Sequence, residues 1–274
     1  MSDKCIVTIV CCYNDTSVYN NFVASLQNQT CPYKLIGINN GDNAGFSSCA
    51  AAYNSVISNV DTKYVIYSHQ DILLKDADSL KKFVAYLEKI SEDDILGVAG
   101  VKFDETGMYS NIVQRINWTG KLCHAGPMYV EGMIPCDTLD ECFFGGYSGH
   151  FSKHPFDEKL CDNWHLYAVE RCLNTKAEGN SVYVCDVFLF HLSSGNVNSA
   201  FVKGFYEILK HYADKFPFIR TTCACSRTNL VRRVDFLFYN QSSLYRFIRN
   251  AYSFVRVKIE MLLRLLGLRR VSVE

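Results

Sequence analysis

Apolar positions along this chain follow two rhythms. Dense runs such as "CIVTIVCC" (5–12), "KLIGI" (34–38), "YVIYS" (64–68) and "ILGVAGV" (95–101) read as strands, the first of them buried on both faces. Between them the apolar spacing lengthens to three and four. Val18, Phe22 and Leu26 would line one face of a helix capped by Asp15 or Thr16. Residues 46–60 predict a helix of small residues, and Leu80, Phe83, Val84 and Leu87 the stripe of an amphipathic one over 76–90. Strands and helices alternating in short units predict an α/β fold: a mainly parallel, Rossmann-like sheet with helices on both faces.

The pattern is looser in the second half. Residues 104–140 are polar and glycine-rich and predict loops with short strands, followed by a strand over 141–151. Residues 154–173 read as a loop entering a helix, 181–191 as a strand ending on His191, and 199–216 as another helix. The pattern breaks near 217–227. This divides the chain into an α/β domain over 1–220 and a helical tail over 221–274. At ~100° per residue, Leu244, Ile248, Ala251, Val255, Ile259, Leu262 and Leu266 form one stripe of that tail. Arg246, Arg249, Arg256, Glu260 and Arg264 gather opposite.

Composition sharpens this picture at a few points. With 49% hydrophobic and 20% charged residues, the chain can build a sizeable core and is not disordered over most of its length. Its net charge is zero, but residues 243–270 hold seven Lys/Arg against one acid, +6 on a body of −6. A basic amphipathic helix of this kind suits an anionic membrane surface; packing on its own domain or on a second subunit is the alternative. The acidic body and the lack of a groove-reading motif argue against nucleic acid. Thirteen cysteines without C-x-x-C spacing read as buried thiols in a reducing compartment, not as a zinc or disulfide framework. The N-terminus does not resemble a signal peptide, and no apolar run reaches the ~18 residues of a membrane span. The expected location is cytoplasmic, peripheral to the inner face of the cell membrane.

Three of the strands end in polar clusters: Tyr13-Asn14-Asp15, Asn39-Asn40-Gly41-Asp42 and His69-Gln70-Asp71. In a parallel sheet these share one edge, where open α/β sheets bind ligands. Asp71 reads either as a cation ligand or as a turn cap.

In their order, "CCYND", "INNGD", "NAGFSSCAAAYN", the strand ending in His-Gln-Asp, "GVAGVKF", Phe156-Asp157-Glu158 and a late strand ending in His resemble the family 2 glycosyltransferases of the GT-A fold, over residues 4–215. The His-Gln-Asp form and the Trp-His after "FDE" resemble a bacterial polysaccharide-type branch. The resemblance implies sugar transfer, inverting in course, from a UDP- or dTDP-sugar to a glycan or lipid-linked acceptor. It implies a Mn2+ or Mg2+ cofactor held by Asp71 with His69 and His191, for which a hydrogen-bonded core histidine is the alternative. Tyr13, Asn14, Asn39, Asn40, Asp42, Gly45, Asn54 and Gln70 would meet the nucleotide-sugar; Asn14 and Gly45 have the alternative of ordinary turn residues, and Asn54 that of capping a polar network. Asp140, Glu141 and Trp164 would line the sugar and acceptor pocket, with a core position as the alternative for Trp164. For the general base it points to Asp162. Helical spacing would set His165 one turn away, where Asp162 could orient it. Glu170 reads as a solvent-facing charge.

Three departures stand out. Asn39 replaces the family's usual Asp, His69 replaces the first metal-motif Asp, and "DNWHLYAVE" stands where an acidic pair is expected. Such erosion leaves a non-catalytic nucleotide-sugar or glycan-binding relative as the rival reading. A nicotinamide-dependent oxidoreductase would need a G-x-G-x-x-G turn that "CCYNDT" lacks.

Overall fold

The structure, a computed structural model, describes residues 5–43, 45–103, 107–114, 121–126, 128–193 and 197–265. Strand β1 (Val7–Tyr13) leads into helix α1 (Thr16–Gln27), capped by Asp15, whose Oδ1 accepts from the amides of Ser17 at 2.8 Å and Val18 at 3.0 Å. β2 (Tyr33–Asn39), α2 (Cys49–Asn54), β3 (Tyr64–Ser68), β4 (Ile72–Leu73) and α3 (Ser79–Leu87) follow. Next come β5 (Ile95–Gly97), β6 (Ala99–Val101), β7 (Met108–Ser110), β8 (Ile112–Gln114), β9 (Cys123–His124), β10 (Met133–Cys136) and β11 (Thr138–Leu139). β12 (Phe143–Tyr147), α4 (Ser148–Lys153), α5 (Tyr167–Ala177), β13 (Val182–Cys185) and β14 (Leu189–His191) bring the chain back across the sheet. It ends in α6 (Ser199–His211), the hairpin of β15 (Phe218–Arg220) and β16 (Cys225–Arg227), α7 (Leu230–Gln241) and α8 (Ser243–Leu265).

The central sheet has seven strands in the order β10-β13-β5-β12-β3-β1-β2. Only β12 and β10 run against the others, so the sheet is mainly parallel as expected. Strand alternation divides its core in two. Ile9, Ile66 and Phe143 pack with Phe22, Leu80 and Phe83 of α1 and α3 on one face. Val10, Val65, Tyr67 and Phe144 pack with Tyr53, Phe151 and Tyr167 of α2, α4 and α5 on the other. Gly145 of β12 is squeezed there: an added Cβ would lie 2.1 Å from the Val65 carbonyl oxygen.

Several expected elements are shorter or divided. Of residues 46–60 only Cys49–Asn54 is α-helical, with a 3-10 turn at Ile57–Asn59. The run 95–101 splits into β5 and β6, which belong to different sheets. The run 181–191 splits at Asp186, whose amide donates to Gly132 O at 2.8 Å and whose carboxylate accepts from Tyr86 at 2.6 Å. Beyond this break, β14 joins a second sheet, β4-β14-β8-β9, against the carboxyl edge of the first.

The boundary expected at 220/221 falls inside the β15–β16 hairpin. Thr138 donates to Arg220 O at 2.6 Å and Thr222 to Asp140 at 2.7 Å, joining that hairpin to the body. α7 rests on α6, with the Phe205 and Phe236 rings 5.0 Å apart. Expected tail residues Leu266, Arg269 and Arg270, and the side chains of Arg256, Glu260, Leu262 and Arg264, lie outside the described residues.

Candidate active site

β3 ends at Ser68 and β4 begins at Ile72, so His69-Gln70-Asp71 forms the bend between two sheets. β14 pairs with β4, His191 opposite Ile72, and the Leu192 amide donates to Asp71 O at 3.0 Å. This register sets His191 beside Asp71, Nε2 to Oδ1 3.3 Å. His69 Nδ1 lies 4.0 Å from the same oxygen, and Ser193 Oγ donates to Oδ2 at 2.5 Å. One ligand atom from each of His69, Asp71 and His191 lies within 4.8 Å of the others.

The electrostatics of this cluster are lopsided. Burial alone would raise the Asp71 pKa, but His191, His69 and Ser193 outweigh it and hold the carboxyl well below the usual range. Burial lowers His69, with Asp71 only partly compensating. Burial also works against the His191 cation, yet Asp71 and Asp140 raise its pKa on balance. His191 Nε2 is buried, 3.3 Å from Asp71 Oδ1, and has no hydrogen-bond partner among the described residues. A carboxylate and an unpartnered imidazole nitrogen converging in this way fit a divalent cation.

The cluster stands between two cavities. The first, about 390 Å³, is lined by Tyr13, Asn14, Asn40, Gln70, Asp71 and His69, with Cys12, Cys49, Tyr53, Trp164 and Tyr167. The second, about 350 Å³, takes in His69, Asp140, Glu141, Trp164, His165 and His191, with Ser193 and Thr222. His69 and Trp164 belong to both walls.

Within the first cavity several nominated residues hold the frame together. Gln70 Oε1 accepts from the amides of Asn14 at 3.1 Å and Asp15 at 3.0 Å, and its Nε2 donates to Asn14 Oδ1 at 2.7 Å. Asn40 Oδ1 accepts from Gly45 N at 3.1 Å and Phe46 N at 2.8 Å, folding the loop after β2. Tyr13 stacks on Tyr19, ring centres 3.9 Å apart. Asn39, Asp42 and Gly45 lie exposed outside the cavity walls, and Asn39 Oδ1 accepts from Gly41 N at 2.9 Å. Asn54 serves the polar network: its amide donates to Phe156 O and Glu158, both at 2.9 Å, and accepts from Phe156 N at 2.9 Å.

The second cavity holds two half-buried acids. Asp140 accepts from Cys142 N at 3.1 Å and Thr222 Oγ1 at 2.7 Å; burial opposes its charge, but His191, Thr222 and His69 bring its pKa below the usual value. Glu141 is pushed well up by burial and by Asp140, only partly relieved by the Leu166 and Tyr167 amides, and its Oε1 has no hydrogen-bond partner. Leu166 sits at φ 71°, a left-handed conformation that costs a non-glycine residue about 1 kcal/mol and starts α5 at Tyr167.

That start corrects the expected pairing of Asp162 with His165. Residues 162–166 are not helical, and Asp162 points to solvent, 54% exposed and 3.6 Å from Lys203. His165 faces the second cavity against Phe201, its pKa lowered by burial and partly restored by Asn198. Glu170 is likewise corrected: it is buried, accepting from Tyr212 at 2.9 Å with Arg171 3.7 Å away. Tyr167, whose hydroxyl lies 3.1 Å from His69 Nε2, had no signal in the sequence, because the contact spans 98 positions. Ser193 could have been found, two residues beyond His191 in "HLSS".

The chain belongs to the Glycosyltransferase like family, whose model matches residues 8–194. None of the curated proteins compared with it matches. Among solved structures, GalNAc-T7 with UDP, GalNAc and Mn2+ superposes with a TM-score of 0.52 at 10% identity, over 78% of this chain and 52% of that one. S. aureus TarS 1-349 superposes at 0.48 with 14% identity, over 77% and 65%, and its complex with UDP at 0.47 with 14%, over 75% and 64%. The chain thus spans between about half and two thirds of the length of these structures. The likeness to GalNAc-T7 establishes the fold, a mixed α/β sheet of the GT-A kind.

Proposed function

We propose that this protein is a divalent-cation-dependent glycosyltransferase, inverting in course, that moves a sugar from a nucleotide diphosphate donor to a glycan acceptor on a lipid carrier. The observation that carries this reading is the Asp71 carboxylate, which lines the first cavity and lies 3.3 Å from His191 on the wall of the second. Family membership supports the reaction class, and the UDP of GalNAc-T7 suggests the donor's chemistry.

In this reading the first cavity takes the nucleotide. Tyr13 and Asn14 line its wall, while Gln70 fixes the loop that carries Asn14 and Asn40 folds the loop after β2. His-Gln-Asp acts as the metal motif: Asp71 and His191, with His69 beside them, would hold Mn2+ or Mg2+. Such a cation supplies charge neutralisation at the departing diphosphate. Two imidazoles favour Mn2+, since Mg2+ prefers oxygen ligands.

The second cavity takes the acceptor. Trp164, shared by both walls, offers a face for the sugar. His165, neutral at working pH, accepts the proton of the acceptor hydroxyl. Asp162 is a poor base in this arrangement, exposed and paired with Lys203. Glu141 is the other proton-carrying group of the chamber.

Docking of α8 on anionic lipid would bring this chamber to a membrane-borne acceptor at the cytoplasmic face. The apolar stripe supports it: Leu244, Ile248, Val255 and Ile259 are 67%, 56%, 53% and 52% exposed. No helix among the described residues is long and apolar enough to cross a membrane.

The test is donor turnover with Mn2+ or Mg2+ in the wild type and in Asp71→Asn. Cation-dependent turnover that falls at least a hundredfold in the folded variant is expected. A folded Asp71→Asn protein of full activity would overturn the metal role, and nucleotide binding without transfer or donor hydrolysis would favour a non-catalytic relative.

A further inference from the structure

At the sheet edge opposite Asp71 a second group of side chains converges. β12 runs antiparallel to β3, so its end at Tyr147 lies beside Tyr64, where β3 begins. α4 starts there. It carries His150, and His154 forms its C-cap, four residues and one helical turn further on. Two imidazoles at this spacing face the same way. Their ring centres are 5.1 Å apart, at 30°.

Carboxylates meet both rings. Asp93, in the turn before β5, places Oδ1 3.3 Å from His150 Nδ1. Glu178, the C-cap of α5, places Oε1 3.6 Å from His154 Nδ1. One ligand atom each from Asp93, His150 and His154 lies within 4.8 Å of the others. The far nitrogen of His150 lies 3.5 Å from Thr175 Oγ1, the kind of outer contact that orients a metal-bound imidazole. The His150 side chain is completely buried, whereas Asp93 and His154 are 45% and 33% exposed, which leaves a path to solvent.

We propose that Asp93, His150 and His154, with Glu178 beside them, form a second metal site that takes Zn2+ and not Mg2+. Two imidazoles and one or two carboxylates supply the three or four nitrogen and oxygen ligands that Zn2+ accepts in tetrahedral sites. Mg2+ needs octahedral oxygen and is poorly served by histidine. The ligands come from three separate segments, the turn before β5, α4 and the end of α5. A bound ion ties these segments together, and it does so only in the folded chain. Zn2+ therefore acts as a structural clamp, far from the sugar-transfer cavities and independent of their chemistry.

The experiment uses the full chain stripped of metal, in an Asp71→Asn background that removes the other His-Asp cluster. Zn2+ is titrated by calorimetry, and unfolding is followed with and without it. One equivalent binding in the micromolar range or tighter, with the melting temperature raised by several degrees, is expected from ligand linkage. Adding His154→Gln or Asp93→Asn, both at partly exposed positions, weakens binding at least tenfold and removes the thermal shift, while Mg2+ gives neither effect. Co2+ in place of Zn2+ shows no thiolate charge-transfer band, which separates this site from the exposed Cys223 and Cys225. The proposal is overturned if Zn2+ does not bind, if those two variants bind it like their parent, or if the cobalt spectrum reports sulfur. His150 and His154 are then no more than histidines set beside carboxylates.

Discussion

Glu141 carries a carboxyl into a chamber where burial and the neighbouring Asp140 disfavour its charge. Its folded pKa lies above the ordinary 4.5, so the folded chain keeps a proton that the unfolded chain releases. The sign follows by linkage: stability is greatest below about 4.5 and declines as pH rises toward the folded value. Glu141→Gln removes that penalty. It should unfold at higher urea than wild type at pH 8, with the gap closing near pH 4.5, and lose activity if the proton serves transfer. Equal midpoints at pH 8 would refute this account of its environment. At this scale the sequence was partly informative. Asp71 could be singled out because three polar residues interrupt an apolar run, a local signal. The surface position of Asp162 could not, because it depends on where α5 starts and on Lys203, forty-one positions away.

Among the elements, the divided run 181–191 does the most to build the site. Its hydrophobic pattern is continuous, so it reads as one strand. Asp186 breaks it by bonding across to α3, with Tyr86 at 2.6 Å and Lys82 at 3.1 Å, and β14 then crosses to reach Asp71. Burial raises the Asp186 pKa, but Tyr86, the Gly132 amide and Lys82 bring it below the ordinary 3.8. A depressed acid stabilises the fold above that value and loses its contribution as pH falls through the folded pKa. Asp186→Asn should therefore cost about 1–2 kcal/mol at pH 7. Urea unfolding at pH 7 and near pH 2.5 checks this: the difference from wild type should shrink at the lower pH, and a constant difference would mean that the charge is not involved. Since β14 carries His191, the same variant should also weaken activation by Mn2+.

The whole molecule joins a sheet domain to a helical end that faces outward. α8 is held to α7 by Asp235, which accepts from Tyr245 and pairs with Arg249, both at 3.0 Å. Its apolar residues Phe247, Tyr252 and Phe254 are 72%, 69% and 65% exposed, and no other described element covers them. If α8 docks on lipid, the chain should co-sediment with anionic vesicles and detach as salt rises. Ile248→Glu with Ile259→Glu should abolish sedimentation yet leave turnover of a soluble donor unchanged. Undiminished sedimentation of that double variant would refute the docking reading.

Apolar periodicity, which is a property of neighbouring residues, determined the alternating α/β order, the polar strand end at His69-Gln70-Asp71 and the amphipathic last helix. Tertiary structure alone decided which polar residues meet. It brought His191 beside Asp71 through strand register, buried Glu170, set Glu141 against Asp140 in the second cavity, turned Asp162 to solvent and gave Asn54 to a loop. Long-range pairing and burial depend on the closed sheet and on breaks such as Asp186 and Leu166, where hydrogen bonds distant in sequence override the local pattern.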